Sequence, residues 1–527
     1  MVVSFFSYFL IFHPKDKSMY SVVKTAVLRG IDSFPVKIEA DISNGMPSFE
    51  MVGFLASEVK EARERVRIAL KNCGIELPPS RITVNFTPAD IRKSGSSYDL
   101  AVTTALLTAI GVLDTAITSQ ALFLGEIGLN GEVLPVKGTL SAAILAKKLG
   151  LERIFVPEKN KEEAAAPETV QVIPLTSIYE LVCICQNREW ERVAYKRTAP
   201  KVQRDYKEDF ADVCGQKLAK RACEIAVSGM HNLLFIGPPG SGKTMLAKRI
   251  PTILPDMEYD EILELSQIYN VYDGTEQSAY LQANRPFRAP HHTITAQGLC
   301  GGGRNPMPGE VSLAHKGVLF LDEFPEFQKP VIDMLRQPME DGYIHIDRVG
   351  GRYRYPCDFM TVAAMNPCKC GFYPDRNRCR CTNASVHSYI NRISQPILDR
   401  FDMTVETAEI PFTELTGNHS EESSEQIRER VVCTQQIQKK RFANQDYYFN
   451  GQMPSSDVKK YCLLDGASTA YLEQIRNIEE LSTRSHFKLL KVARTIADME
   501  QSEQIQRHHL VEAYAFRSLD KKYWKQL

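Results

Sequence analysis

The sequence predicts an α/β core built around a phosphate loop, with an α+β domain before it and a helical region after it. Three observations carry this expectation. Gly237-Pro238-Pro239-Gly240-Ser241-Gly242-Lys243-Thr244 stands between an apolar run, Leu233–Ile236, and a helical one, Thr244–Arg249. Two further apolar runs, Val318–Leu321 and Thr361–Met365, end in polar residues suited to the carboxyl edge of an open sheet. From Gln426 onward the apolar spacing is that of helices.

The chain has 527 residues, which suggests about three or four domains at roughly 100–200 residues each. Its 64 Lys+Arg balance 64 Asp+Glu, so bulk positive charge does not hold it on nucleic acid, although a local basic surface remains open. With 43% hydrophobic and 24% charged residues, the composition is that of a soluble globular protein and argues against disorder as the main state. No run reaches the roughly 18–20 apolar residues of a membrane span. Most of the 13 cysteines are scattered among apolar neighbours, which fits a reducing, cytoplasmic compartment.

In chain order, residues 1–18 read as a disordered extension or a mis-called start ahead of Met19, because Val2–Phe12 is apolar but has no preceding Lys or Arg. Residues 19–185 form the α+β domain. Val36–Ile42 alternates as a strand does, Val59–Cys73 repeats apolar residues at helical spacing, and Arg81–Phe86 and Ile154–Val156 are further strands. Residues 186–208 are basic and poor in apolar residues, a linker. The α/β core spans 209–412, and 413–425 is a second, polar and acidic linker. The helical region, 426–527, contains helices over Ser455–Leu463, Ala470–Leu481, Leu489–Glu500 and His508–Leu519.

The glycines of Gly237–Thr244 let the backbone turn tightly, so that several N–H groups converge on phosphate at a helix N-terminus. Lys243 is placed to reach the β and γ phosphates and Thr244 to ligate Mg²⁺. Gly317-Val318-Leu319-Phe320-Leu321-Asp322-Glu323 describes a buried strand ending in two acids: Asp322 for the metal shell, Glu323 to polarise an attacking water. Asn366, ending the third apolar run, can hydrogen-bond the γ-phosphate or that water. Arg400 in Leu398-Asp399-Arg400-Phe401-Asp402 either faces a neighbouring subunit's nucleotide or forms an ion pair with Asp399 or Asp402.

GPPGSGKT, GVLFLDEF, AAMNPCKCG and ILDRFD, in this order, resemble the magnesium-chelatase-like AAA+ ATPases, and more narrowly their ComM/YifB-type group. MYSVVKTAVLRGID from Met19, RPFRAPHHT at 285–293 and LLKVARTIADME at 489–500 extend the resemblance along the chain. It implies an α/β AAA+ P-loop core with a helical lid, plus an N-terminal α+β domain of ribosomal-S5/Lon-protease-like fold, assembled as a homo-hexamer with ATP and Mg²⁺ between subunits. By position, Gly237–Thr244 is then Walker A, Asp322 and Glu323 Walker B, Asn366 sensor 1 and Arg400 the arginine finger. Sensor 2 falls on Arg484 or Arg494, and a salt bridge within the lid is the other reading for either.

The resemblance also implies a β-hairpin in the ring's pore at Tyr343–Tyr355. Alternation there puts Arg352 and Arg354 on one face and Tyr353 and Tyr355 on the other, with Arg348 nearby. Arg can track a phosphate backbone and Tyr can stack on bases; an ordinary exposed hairpin is the alternative. A Lon-like Ser–Lys dyad is incomplete: a serine survives within Ser94–Asp99, but Leu140 stands at the lysine's place and Lys137 three residues away. Cys368, Cys370, Cys379 and Cys381 can offer four thiolates to Zn²⁺, with reduced thiols or a disulfide as alternatives, and Arg376, Arg378 and Arg380 can offset thiolate charge or touch DNA. His291 and His292 are expected to be structural or substrate-facing, because adjacent side chains diverge. The implied function is an ATP-driven motor on single-stranded or branched DNA, working as a helicase or in branch migration during recombination of incoming DNA. A protein-remodelling or metal-chelatase-type ATPase is the alternative.

Overall fold

The computed structural model describes residues 19–168, 170–195, 206–272, 281–303, 306–348, 351–410, 421–479, 482–519 and 521–525. The extension 1–18, residues 196–205 of the first linker and residues 411–420, which include most of the second, lie outside the described residues. The chain divides into two compact units, one of residues 1–200 with 273–281 and one of 201–272 with 282–527.

The first unit carries a seven-stranded sheet. Its strands are β1 (Tyr20–Arg29), β2 (Asp32–Ser43), β3 (Ser48–Val52), β4 (Arg81–Thr87), β5 (Ala121–Phe123), β6 (Arg153–Pro157) and β7 (Gln171–Leu175), in the order β3-β4-β2-β1-β5-β6-β7. The β1–β2 and β2–β4 pairs are antiparallel and the other pairs parallel. β2 buries Val36, Ile38, Ala40 and Ile42 on one face, the period of two that its sequence shows. Helix α1 (Ser57–Asn72) buries Val59, Ala62, Val66, Ala69 and Leu70, one stripe at helical spacing. Helix α2 (Asp99–Ala109) is buried along its whole length, and its first-turn Asp99 takes a bidentate pair from Arg65 at 2.8 and 3.1 Å.

Two expectations meet this unit. Leu140 is buried in helix α3 (Thr139–Lys148), its N–H donating to Glu163 Oε1 at 2.9 Å, while Lys137 is exposed. The segment where a dyad lysine would stand therefore offers no buried amine. The linker assigned to 186–208 begins later than expected, because its first ten residues are folded. Helix α4 (Ile178–Asn187) is followed by a turn at Trp190–Val193; the Arg153 guanidinium lies 4.5 Å over the Trp190 ring, and Tyr195 N–H donates to Val172 at 3.0 Å. Basic side chains dominate the composition there, yet two aromatics fix the chain to the sheet.

The second unit is built on a five-stranded parallel sheet: β8 (Leu233–Ile236), β9 (Phe287–Arg288), β10 (Val318–Leu321), β13 (Met360–Met365) and β14 (Met403–Glu406), in the order β9-β10-β13-β8-β14. A separate antiparallel hairpin, β11 (Tyr343–Arg348) with β12 (Gly351–Pro356), precedes β13. β8, β10 and β13 are buried on both faces, which is why they read as unbroken apolar runs. Helix α5 (Lys217–Gly229) runs into β8, and α6 (Lys243–Ile253) leaves the loop after it.

The C-terminal helices are α7 (Ser424–Arg441), α8 (Ser455–Tyr461), α9 (Gly466–Glu479), α10 (Thr483–Met499) and α11 (Arg507–Ala515). α7 starts inside the tract assigned as a linker (413–425): Ser423 and Gln426 form a reciprocal capping box, and the acids preceding them are paired, Glu421 with Lys220 at 2.7 Å and Glu422 with Arg430 at 2.9 Å. These helices share one hydrophobic cluster with the sheet. It passes from Phe235, Val362 and Met403 through Ala222 and Ile225 of α5 to Ile427 and Val431 of α7, Val492 and Ile496 of α10, and Leu510 of α11.

One ionic contact ties the sheet to α10. Asp402, just before β14, accepts from Lys488 Nζ at 2.9 Å and from Asn232 N–H at 3.0 Å. Burial opposes its charge, but Lys488 and His231 beside it hold the carboxyl far below the ordinary carboxylate range. Asp402→Asn leaves the Lys488 ammonium buried without its counter-charge and is expected to cost about 3–5 kcal/mol, read as a lower urea midpoint. Loss of less than about 1 kcal/mol would show that water compensates the lysine.

Candidate functional site

The parallel sheet brings the predicted residues to one edge. β13 lies between β8 and β10, with Ile236 opposite Met365 and Leu321 opposite Ala363, so Gly237, Asn366 and Asp322 emerge together at the strands' carboxyl ends. The loop from Gly237 to Gly242 is held against the segment after β14. A Cβ on Gly237 would stand 2.2 Å from Thr407 Oγ1 and 2.4 Å from its carbonyl oxygen, so only glycine fits. Gly240 and Gly242 take φ of +77° and +84°, left-handed conformations that favour glycine. Pro238 and Pro239 lie between Gly237 and the first of these turns. Ser241 Oγ bonds to the Pro238 carbonyl at 2.8 Å and to Thr407 Oγ1 at 2.7 Å, and Gln216 Nε2 donates to the Ser241 carbonyl at 3.0 Å.

Lys243, the first residue of α6, is 8% exposed. Its Nζ donates to the carbonyls of Gly237 and Pro238, both at 2.8 Å, and to Asn366 Oδ1 at 3.2 Å. Burial pushes its ammonium down to about 8 against the opposing pull of Asp322. Thr244 Oγ1 donates to Asp322 Oδ2 at 2.8 Å. A hydroxyl and a carboxylate so paired are hard oxygen donors of the kind Mg²⁺ takes together with phosphate, and the left-handed glycines beside them form a loop that phosphate can approach. The residues present therefore fit Mg²⁺ with a nucleotide.

Glu323 sits at φ +49°, in the left-handed region, with its N–H bonded to Asp322 Oδ1 at 2.9 Å. Such a backbone costs a side-chain-bearing residue about 1 kcal/mol or more. Its carboxylate meets His292, whose Nδ1 is 3.2 Å from Glu323 Oε2. The expectation that His291 and His292 diverge is corrected here: their ring centroids are 4.1 Å apart, with the planes 33° from parallel. Thr293 N–H donates back to His291 Nδ1 at 3.4 Å, a local turn that brings the rings together. His292 thus joins the site; the sequence marked the His pair as structural or substrate-facing but not its contact with Glu323, since the turn has to fold before the ring meets that carboxylate.

Two of the predicted arginines meet at one acid. Arg400 and Arg484 both pair with Glu340, at 2.8 and 2.5 Å. Burial acts to raise the Glu340 pKa, yet Arg484 and Arg400 together hold the carboxyl below its ordinary range. Arg400's ion pair is therefore with Glu340 rather than with Asp399 or Asp402. Arg494 is excluded as a nucleotide ligand: it is 1% exposed, pairs with Asp498 at 3.0 Å and donates to the Glu503 carbonyl at 2.7 Å inside the helical region.

The hairpin faces are unequal. Arg352 and Arg354 are exposed, Arg352 pairing with Asp347 at 3.5 Å and Arg354 lying 4.5 Å over the Tyr343 ring. Arg348 Nε donates to the Gly303 carbonyl at 3.2 Å. Tyr355 is fully buried, its hydroxyl donating to Pro306 at 2.7 Å, so base stacking by Tyr355 is ruled out. Tyr353, half-buried, pairs across the hairpin with Ile346 on that same inner face. Val349 and Gly350 of the turn lie outside the described residues.

Four cysteines converge beside the phosphate loop, with all the sulfurs of Cys368, Cys370, Cys379 and Cys381 within 4.8 Å of one another. Two of the three arginines between them are engaged: Arg378 is bidentate to Glu409, both bonds at 2.8 Å, and Arg376 donates to the Cys381 carbonyl at 2.8 Å, while Arg380 is exposed.

Comparison with known proteins gives three matched regions. Residues 209–415 match the family described as magnesium chelatase, subunit ChlI, residues 38–160 that of subunit ChlI of Mg-chelatase, and residues 421–517 that of the ChlI C-terminal region. The chain is 40% identical over 509 residues to the uncharacterized protein YifB of Escherichia coli (strain K12), covering 95% of this chain and 97% of that one. It is 38% identical over 504 residues to the competence protein ComM of Haemophilus influenzae, with the same coverage of 95% and 97%. A shorter likeness, 26% over 164 residues, covers 29% of this chain and 21% of the Lon protease of Mycolicibacterium smegmatis. No helix among the described residues is long and apolar enough to cross a membrane. With family matches in all three regions and near-complete coverage of these relatives, the chain belongs to the ComM/YifB-type magnesium-chelatase-like family of AAA+ ATPases.

Proposed function

We propose that this protein hydrolyses ATP as a ring-forming motor that acts on DNA, in branch migration or strand unwinding. The observation that carries the reading is the meeting of Lys243, Asn366, Thr244 with Asp322, and Glu323 at one sheet edge. In this reading Gly237–Thr244 presents its N–H groups to the phosphates, and Lys243 turns its ammonium from the loop carbonyls to the β and γ phosphates. Thr244 and Asp322 would hold Mg²⁺, which when bound neutralises the charge that develops on the phosphoryl oxygens. Glu323 orients and polarises the attacking water, His292 holds the carboxylate until nucleotide is in place, and Asn366 fixes the water or the γ-phosphate. Arg400 and Arg484, parked on Glu340, serve as arginine finger and sensor 2, with the C-terminal helices as the lid. The first unit is a non-proteolytic domain of S5/Lon-protease-like fold.

The buried lysine gives this reading a pH signature. Lys243 is half deprotonated at about pH 8, whereas a bound triphosphate favours the ammonium and raises its pKa. Binding therefore takes up a proton above that pH, and ATP affinity is expected to fall by up to about tenfold per pH unit there while changing little from pH 6 to 7.5. Titration of a fluorescent ATP analogue reads this. A flat profile through pH 9 would show that the ammonium does not answer the phosphates.

DNA as the track is supported by the exposed Arg352 and Arg354 on a hairpin next to β13, and by a relative named as a competence protein. The experiment is ATP hydrolysis and strand displacement on forked and four-way DNA. Wild type is expected to be stimulated by DNA and to displace a strand. Arg352→Ala with Arg354→Ala should lose most of the stimulation while keeping basal turnover, and should lower the salt dependence of DNA binding by about one unit of slope per lost phosphate contact. Stimulation unchanged in the double variant would remove the hairpin from the DNA path. Hydrolysis indifferent to any DNA would instead favour an ATPase that remodels protein.

A further inference from the structure

The strongest feature that ATP hydrolysis leaves unused is the cysteine cluster. We infer that Cys368, Cys370, Cys379 and Cys381 bind one structural Zn²⁺ that braces the phosphate loop, an inference that rests on Gly237–Thr244 being that loop.

The distances separate the three chemistries open to these thiols. The Cys368–Cys370, Cys368–Cys379 and Cys370–Cys379 sulfurs are 3.3, 3.8 and 3.6 Å apart. A disulfide needs about 2.05 Å, and no pair comes near it. In a tetrahedron with Zn–S bonds of about 2.3 Å, the sulfurs lie about 3.8 Å from each other. These three sulfurs are already close to that edge length, and Cys381 Sγ lies within 4.8 Å of each of them. A set of four thiolates without His or carboxylate selects zinc over Mg²⁺ or Ca²⁺. Two of the ligands, Cys368 and Cys379, are buried.

The surroundings are those of a ligand loop, held in place from outside. Tyr373 N–H points at Cys368 Sγ at 3.4 Å, the backbone-to-sulfur contact that orients a thiolate. Cys379 N–H bonds to the Asp375 carbonyl at 2.7 Å, which closes the turn between the two Cys pairs. The Arg378 guanidinium, 4.0 Å over the Phe372 ring, is the same group that grips Glu409. The two C-x-C pairs, at first sight poor zinc spacing, are brought together by this turn.

The loop's position assigns the consequence. Cys368 is two residues beyond Asn366, which accepts from Lys243. Gly371, at φ +85°, packs so tightly on Pro239 that a Cβ there would stand 2.3 Å from the proline Cδ. Pro239 lies inside the phosphate loop. The four-thiolate loop thus forms a wall for Pro239 and a tether for Asn366, and the metal holds both in place.

The test uses the full chain, purified without chelator. Elemental analysis is expected to find one zinc per chain, and cobalt substitution to give the thiolate charge-transfer and tetrahedral d–d bands. Cys379→Ser should lose the metal, and with it about tenfold or more in affinity for a fluorescent ATP analogue, as expected when a positioning group shifts by an ångström. Gly371→Ala distinguishes bracing from general unfolding. It should keep zinc and the far-UV circular dichroism of wild type yet still weaken nucleotide binding. Far less than one zinc per chain, or iron in its place, overturns the metal assignment. Full zinc with unaltered nucleotide affinity in Gly371→Ala overturns the brace. Failure of the ATPase reading is distinguished separately, as zinc-loaded wild type that releases no phosphate from ATP.

Discussion

Lys243→Ala is expected to remove both nucleotide binding and turnover, whereas Glu323→Gln is expected to remove turnover alone. The two residues occupy different parts of the edge. Lys243 Nζ lies within hydrogen-bonding distance of the loop carbonyls and Asn366, so it can follow the phosphates in ground state and transition state alike. Its loss also leaves two carbonyls and an amide oxygen without their donor, and the loop loses its shape. Among the described residues, the Glu323 carboxylate pairs with His292, and its N–H closes the turn on Asp322. Its carboxylate acts on water rather than on nucleotide, so the amide should bind ATP within a few fold of wild type while kcat falls by about 10²–10⁴. Binding measured with a fluorescent analogue and turnover measured by phosphate release separate the two. If Glu323→Gln retained half of the wild-type kcat, the general base would lie elsewhere.

The second large effect concerns Arg400. Its guanidinium pairs with Glu340, and its Nε donates to the Arg336 carbonyl at 3.2 Å. Among the described residues, no part of this network includes the Gly237–Thr244 loop of the same chain. If Arg400 acts on a neighbour's nucleotide, Arg400→Ala should lower kcat by about 10³ or more, and mixing it with Lys243→Ala should restore activity. In a mixed ring, an Arg400→Ala subunit supplies an intact loop and its Lys243→Ala neighbour supplies the missing guanidinium. Two inactive preparations that regain turnover on mixing would show action across an interface. A mixture as inactive as its parts would return Arg400 to a structural role with Glu340.

Much of this edge was legible because its chemistry is local in sequence. The phosphate loop needs glycine at positions fixed by its own turns, and an apolar run ending in two acids describes β10 and Asp322–Glu323 without reference to the rest of the chain. What was not legible depended on tertiary placement. Tyr353 and Tyr355 alternate with arginine as base-stacking residues would, yet the buried Pro306 carbonyl takes the Tyr355 hydroxyl. Arg484 and Arg494 are equally basic and ten positions apart, and only burial against Asp498 distinguishes the structural one. Glu340 lies far in sequence from both arginines it joins. Glu421 and Glu422 looked solvated because Lys220 lies on a distant stretch of chain and Arg430 meets Glu422 only once α7 has formed. Composition describes what a segment contains, and here packing decided what it touches.

The measurement that bears most directly on the whole account is phosphate release from Mg·ATP by the purified full chain, with and without forked DNA. Wild type is expected to show basal release, stimulated several-fold by DNA, and Glu323→Gln none above background under either condition. Wild-type protein that releases no phosphate with or without DNA, or a Glu323→Gln variant that matches it, would contradict the assignment of this edge to ATP hydrolysis.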